Sequence, residues 1–204
     1  MSRTLGNHTR STVTFLSLLL ASGLASCAKK QEAETATPPV AAESTAAPAT
    51  PTISDGNIAA IVVDADSIDI KNGMMAKKMS KNPQVKAFAS QMVTDHTAVN
   101  KKATDLATKL SLLPEENDSS RQLVSNADAT RQAIQAKTGA EFDKAYIDNE
   151  VAYHEAVIDM LDKTLIPNAK NAELKSLLES VKPAFEAHLD HAKKLQATLA
   201  GAKS

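Results

Sequence analysis

The chain has no tryptophan and, in 204 residues, only two tyrosines and four phenylalanines. Sheet sandwiches and barrels draw on aromatic and β-branched side chains. A core built mainly from Ala, Leu, Val, Ile and Met points instead to closely packed helices. Cysteine is nearly absent too: Cys27 stands alone, which excludes a disulfide framework, a thiolate metal cluster and a pair of thiols for redox work. The six glycines form no phosphate-cradling loop, and neither Gly-x-Ser-x-Gly nor Cys-x-x-Cys-His occurs. Nucleophile-elbow chemistry and covalent haem attachment therefore lack their motifs. The formal net charge of -1, with no basic patch, gives no electrostatic reason to expect nucleic acid as a partner.

What is present begins at the N-terminus. Arg3 and Arg10 precede the apolar run "FLSLLLASGLAS", which is too short for a membrane-spanning helix and is followed by a cleavage pattern. This reads as a signal peptide over residues 1–26. Its end, "LASC" from Leu24 to Cys27, resembles a bacterial lipobox. That resemblance implies lipidation of Cys27 and a membrane partner held through the lipid. Ala28, in place of the Asp frequent in inner-membrane lipoproteins, implies the periplasmic face of the outer membrane where the cell has two membranes. Residues 27–53 hold four of the eight prolines amid Ala, Thr and Glu. So little apolar surface cannot offset the entropy of ordering, and a disordered tether is expected.

From residue 54 to 204 the punctuation is that of one helical domain. A first helix is predicted after Ser54 or Asp55 and runs to about Met79. A second is capped by Asn82 with Pro83 at its first position and ends before Pro114. A shorter helical piece spans Asp118 to about Lys137. Thr138 and Glu141 make a capping-box pattern for the next helix, to about Leu165 before Pro167. The last helix starts near Asn171 and ends at Gly201, with Pro183 inside it. The fold class expected is all-α, a four-helix bundle with the Asp118–Lys137 piece crossing between two hairpins.

Apolar residues spaced by threes and fours draw the buried stripes. They run Ala89, Met92, His96, Val99 on the second helix, Ile147, Val151, His154, Ile158 on the next, and Val181, Phe185, His188, Ala192 on the last. Each stripe is interrupted by one histidine. At a rise of ~1.5 Å per residue the three rings sit roughly 20, 24 and 26 Å from their helix starts, so mid-helix layers coincide. Asp69 lies near the middle of the first helix, on a stripe with Ala65 and Ala76. Bundles build metal and cofactor sites from such inward side chains. The candidate metal ligands are His96, His154 and His188, with Asp69, Glu150 or His191 completing the set. One ion can join the imidazoles only if the ring nitrogens lie within ~8 Å, given metal–nitrogen distances of ~2 Å. The alternative is a neutral polar layer that fixes helix register, with Asp95, Glu150, Tyr146, Tyr153 and Asp190 as hydrogen-bond partners.

The segments "VKAFASQMVTDHT", "EFDKAYIDNEVAYHEAVIDML" and "PAFEAHLDHAKKL" resemble the most recognisable parts of the bacterial domain of unknown function 4142, over about residues 55 to 200. The resemblance implies a ferritin-like bundle, usually exported, in which His96, His154 and His188 belong to the family pattern. It supplies no catalytic role. The residues depart from a di-iron carboxylate site: Val93, Val151 and Phe185 stand three positions before the histidines, where Glu-x-x-His would need a glutamate. A histidine-rich site with a carboxylate suits Zn²⁺, Cu²⁺ or Ni²⁺. Met74, Met75, Met79 and Met92 add Cu(I) to the ions considered, and iron belongs to the redox alternative. The leading reading is a lipid-anchored envelope protein that binds a transition metal or small ligand for sequestration or sensing. Behind it stand a non-catalytic structural or interaction protein of the envelope, and then a redox metalloenzyme.

Overall fold

The structure, a computed structural model, describes residues 53–201; the signal segment, Cys27 and the linker through residue 52 lie outside the described residues. All regular structure among the described residues is helical: α1 (Asp55–Met79), α2 (Pro83–Lys109), α3 (Asp118–Gln135), α4 (Gly139–Met160), a π-helical turn (Leu161–Leu165), α5 (Ile166–Asn168) and α6 (Ala172–Gly201).

Side chains that satisfy the free first-turn amides set the helix starts. Ser54 accepts from the Asn57 amide while the Asn57 side chain accepts from the Ser54 amide. Asn82 accepts from the Gln84 amide, with Pro83 in the first turn, where its missing N–H costs nothing. Asn117 and Ser120 repeat the reciprocal cap on α3. Asn171 caps α6 by accepting from Glu173 and Leu174. The expected capping box at Thr138 and Glu141 does not form: Thr138 makes no side-chain cap bond. Gly139 enters α4 at φ +57°, a left-handed turn that suits glycine, and the first helical bond, Phe142 N–H to Thr138 O, is long at 3.4 Å.

The predicted helix from Thr138 to Leu165 is also corrected at its far end. After Met160 the chain widens into the π-turn, then makes one turn of α5 that contains Pro167. Pro167 cannot donate to the Lys163 carbonyl four residues back, and its ring crowds that carbonyl, so the wider turn relieves the conflict. By contrast α6 continues unbroken across Pro183.

The helices α1 and α2 form one hairpin and α4 and α6 the other; α2 against α6 and α1 against α4 close the bundle, and α3 lies along α1 with a contact to α4. The first hairpin is tight. A Cβ added at Gly73 would come within 2.9 Å of the Ala89 carbonyl oxygen and 2.8 Å of a Val93 methyl, so only glycine permits this approach. Inside the bundle the apolar core divides in two. One cluster gathers Ile58, Ile61, Val99, Val157, Leu161, Leu178 and Phe185, the other Val85, Phe88, Met92, Phe142, Ile147 and Leu195. Between them lie buried Asp66, Asp69, His96, Glu150, His154 and His188.

Candidate metal centre

Four helices supply this layer. Asp66 and Asp69 stand three residues apart on α1 and so share a face, as do Glu150 and His154, four apart on α4. His96 comes from α2 and His188 from α6. The three imidazoles pack as a triangle, with ring centroids 5.6 Å (His96–His154), 5.3 Å (His96–His188) and 5.5 Å (His154–His188) apart. Phe185 stacks on His96 at 5.0 Å, closing the layer on its side.

Each ring spends one nitrogen on an acceptor outside the triangle. His96 Nδ1 lies 2.8 Å from Asp66 Oδ1, His154 Nδ1 donates to the Glu150 carbonyl at 2.9 Å, and His188 Nε2 lies 2.9 Å from Asp95 Oδ2. Ionised carboxylates and carbonyls accept only, so the ring nitrogen facing each one carries the hydrogen. The other nitrogens, His96 Nε2, His154 Nε2 and His188 Nδ1, are buried without a hydrogen-bond partner. One nitrogen from each ring falls in a group whose members all lie within 4.8 Å of one another, inside the ~8 Å limit for a shared ion. A metal-binding histidine characteristically donates its second N–H to a carboxylate or a carbonyl, which fixes its tautomer and orientation; all three rings have that arrangement here.

Beside the triangle, Asp69, Glu150 and His154 form a second group of ligand atoms within the same 4.8 Å limit. Asp69 Oδ2 is 3.4 Å from His96 Nε2. Both Glu150 carboxylate oxygens, Asp69 Oδ1 and the Tyr146 hydroxyl are buried and unpartnered. Burial raises the Glu150 carboxyl to about 8 and lifts Asp69 well above the carboxylate range. Burial, reinforced by the charge of His96, lowers His154 to about 3; burial lowers His188 as well. His96 goes the other way: burial opposes its charge, but Asp69 and Asp66 outweigh it and raise the ring above the ordinary histidine value. Of the three rings, His96 is thus the one whose protonated form its surroundings favour, through Asp69 and Asp66.

Of the ligands proposed from sequence, His96, His154, His188, Asp69 and Glu150 meet in this layer. His191 does not: it is exposed on the next turn of α6, bonded through Nδ1 to Gln91 Oε1 at 3.1 Å and edge-on to Phe88. Met92 packs in the apolar core next to the layer, whereas Met74 is exposed. Tyr153 packs edge-on against His154, with ring centroids 6.3 Å apart, but its hydroxyl donates to the Ala65 carbonyl. Asp66, which holds His96, was not among the predicted residues.

The sequence profile of a family described as a domain of unknown function, DUF4142, matches residues 40–195. The chain belongs to the DUF4142 family. The match spans every residue of the DUF4142 layer, from Asp66 to His188. No curated protein and no solved structure matches the chain.

Proposed function

We propose that this DUF4142 protein binds one transition-metal ion in the histidine layer and serves in sequestration or sensing of that ion. The support is the arrangement of the rings: three histidines from three helices each place one nitrogen on an outside acceptor and keep the other buried and unpartnered, and one ligand nitrogen from each ring lies within 4.8 Å of the others. In a purely structural layer such orphaned atoms cost free energy with no return. His96, His154 and His188 would hold the ion, and Asp69, nearest to His96 Nε2, is the carboxylate to complete the set. Three imidazoles favour Zn²⁺, Cu²⁺, Ni²⁺ or Fe²⁺ over Mg²⁺ and Ca²⁺. The ion would compete with the proton that Asp69 and Asp66 favour on His96, and the charges of the two aspartates would offset its own. In the same proposal the protein works in the cell envelope, tethered by lipid on Cys27.

Elemental analysis of the chain purified without chelator or affinity tag tests the first part. One ion per chain, absent from the His96→Ala/His188→Ala variant, is the expected result. No bound metal, together with no thermal shift on adding Zn²⁺, Cu²⁺, Ni²⁺ or Fe²⁺, would overturn it in favour of a structural layer. Cys27→Ser tests the tether: signal processing and membrane association should both be lost, and their persistence would refute lipidation.

A further inference from the structure

The π-turn Leu161–Leu165 faces a small pocket of about 20 Å³ between α1, α4 and α6. A π-turn carries an extra residue per turn, so its side chains cannot keep the ridge spacing that α6 would interdigitate with; the packing gap lies at that mismatch. Leu161, Leu165, Leu178 and Val181 make the apolar walls. Its remaining walls matter more. Asp66 and Phe185 both line the pocket, and both also contact His96, the first by the 2.8 Å hydrogen bond and the second by ring stacking. An occupant would therefore lie one side chain away from the histidine triangle.

The size and lining select the occupant. A buried water occupies roughly 10–15 Å³ on this measure and needs two to four polar partners. The pocket is somewhat larger than that, and Asp66 is its only polar residue, so water is held poorly. An ion would lose its hydration with too little in exchange. Dry apolar cavities, by contrast, take up small apolar guests. We propose that this pocket binds one neutral molecule of diatomic size, of the class of dioxygen, beside the histidine layer. The binding does not depend on a metal; the pocket's role in delivering such a molecule to the layer rests on the metal-binding reading.

Dioxygen itself is the probe, because it is paramagnetic. Methyl relaxation is measured on the metal-free full chain under dioxygen and under dinitrogen. The Leu161, Leu165, Leu178 and Val181 methyls should relax severalfold faster under dioxygen than the equally buried methyls of Val85 and Leu195 in the other apolar cluster. Val181→Phe, which fills the pocket, should abolish the excess at Leu161 and Leu165. Enhancement that merely follows surface exposure in the wild-type chain would overturn the proposal, whether or not the variant folds. Failure of the chain to bind metal would leave this result untouched, so the two readings can fail separately.

Discussion

The apolar clusters and the polar layer between them occupy the same bundle and are equally buried, yet they are built on opposite principles. In the cluster around Phe88, Met92 and Leu195 every buried side chain gains from leaving water, at roughly 25 cal/mol per Å² of apolar surface. In the layer, six charged or polar side chains have given up hydration, and seven of their twelve side-chain oxygen and nitrogen atoms have no hydrogen-bond partner. Burial favours the protonated carboxyls of Glu150 and Asp69 and the neutral ring of His154, and this lowers the cost of burying the layer. Stability resides in the clusters; the layer detracts from it, and under the proposed function ion binding is what the layer offers in return.

The largest expected effect tests that division directly. Phe88→Ala should lower the unfolding free energy by about 3–5 kcal/mol, measured by urea denaturation of the metal-free chain, since Phe88 is fully buried. His154→Leu should cost far less, because the ring has one hydrogen bond to lose and one orphaned nitrogen to be rid of. Equal losses would erase the distinction between the two regions.

The next effect is in pH. Folded Glu150 keeps its proton to about pH 8, whereas the unfolded chain gives it up near the ordinary carboxylate value, so its contribution is present in acid and is lost as pH rises towards and through 8. Asp69 and His96, both raised, act with the same sign. His154, lowered to about 3, acts oppositely, but only where the unfolded ring is protonated, below pH ~6.5. Between pH 6.5 and 8.5 the metal-free chain should therefore lose stability, with Glu150 contributing at most about 1.4 kcal/mol per pH unit. Glu150→Gln should flatten that slope in urea titrations at the two pH values, and an unchanged slope would show that the carboxyl is ionised throughout.

A smaller effect concerns orientation. Asp95, 41% exposed, holds the His188 tautomer from the edge of the layer. Asp95→Ala should weaken ion binding by about ten- to a hundredfold, read by competition with a chelating dye, while the urea midpoint moves little. The smallest effect serves as a reference: Lys101→Ala removes an exposed pair with Asp105 and should leave both stability and ion binding within error.

Much of this was legible in the sequence, for identifiable reasons. On α2, α4 and α6 one face is buried and the opposite face is wet, so spacing alone singled out His96, His154 and His188. The same spacing separated His188 from His191. On α1 the spacing does not single out Asp66. That helix is packed by α2, α3 and α4, and Ile58 to Val62 are buried in succession, so no single stripe marks its inner side. The stripe chosen there contained Asp69 but passed through Ala65, which is only half-buried, and missed the carboxylate one position on. The π-turn was not legible either. It is a compromise between Pro167 and continued packing, and spacing carries no sign of a register shift of one residue.

The adjacent residues Asp95 and His96 act in different directions. Neighbours on a helix point about 100° apart, and here one reaches α6 through His188 while the other reaches α1 through Asp66. Two consecutive side chains thus key three helices together. Turning α2 about its axis by a single residue would present a carboxylate to Asp66 and withdraw the partner of His188, breaking both bonds at once. The dipeptide works as a lock on rotation, one that tolerates sliding apolar contacts around it but admits a single angular setting of the helix.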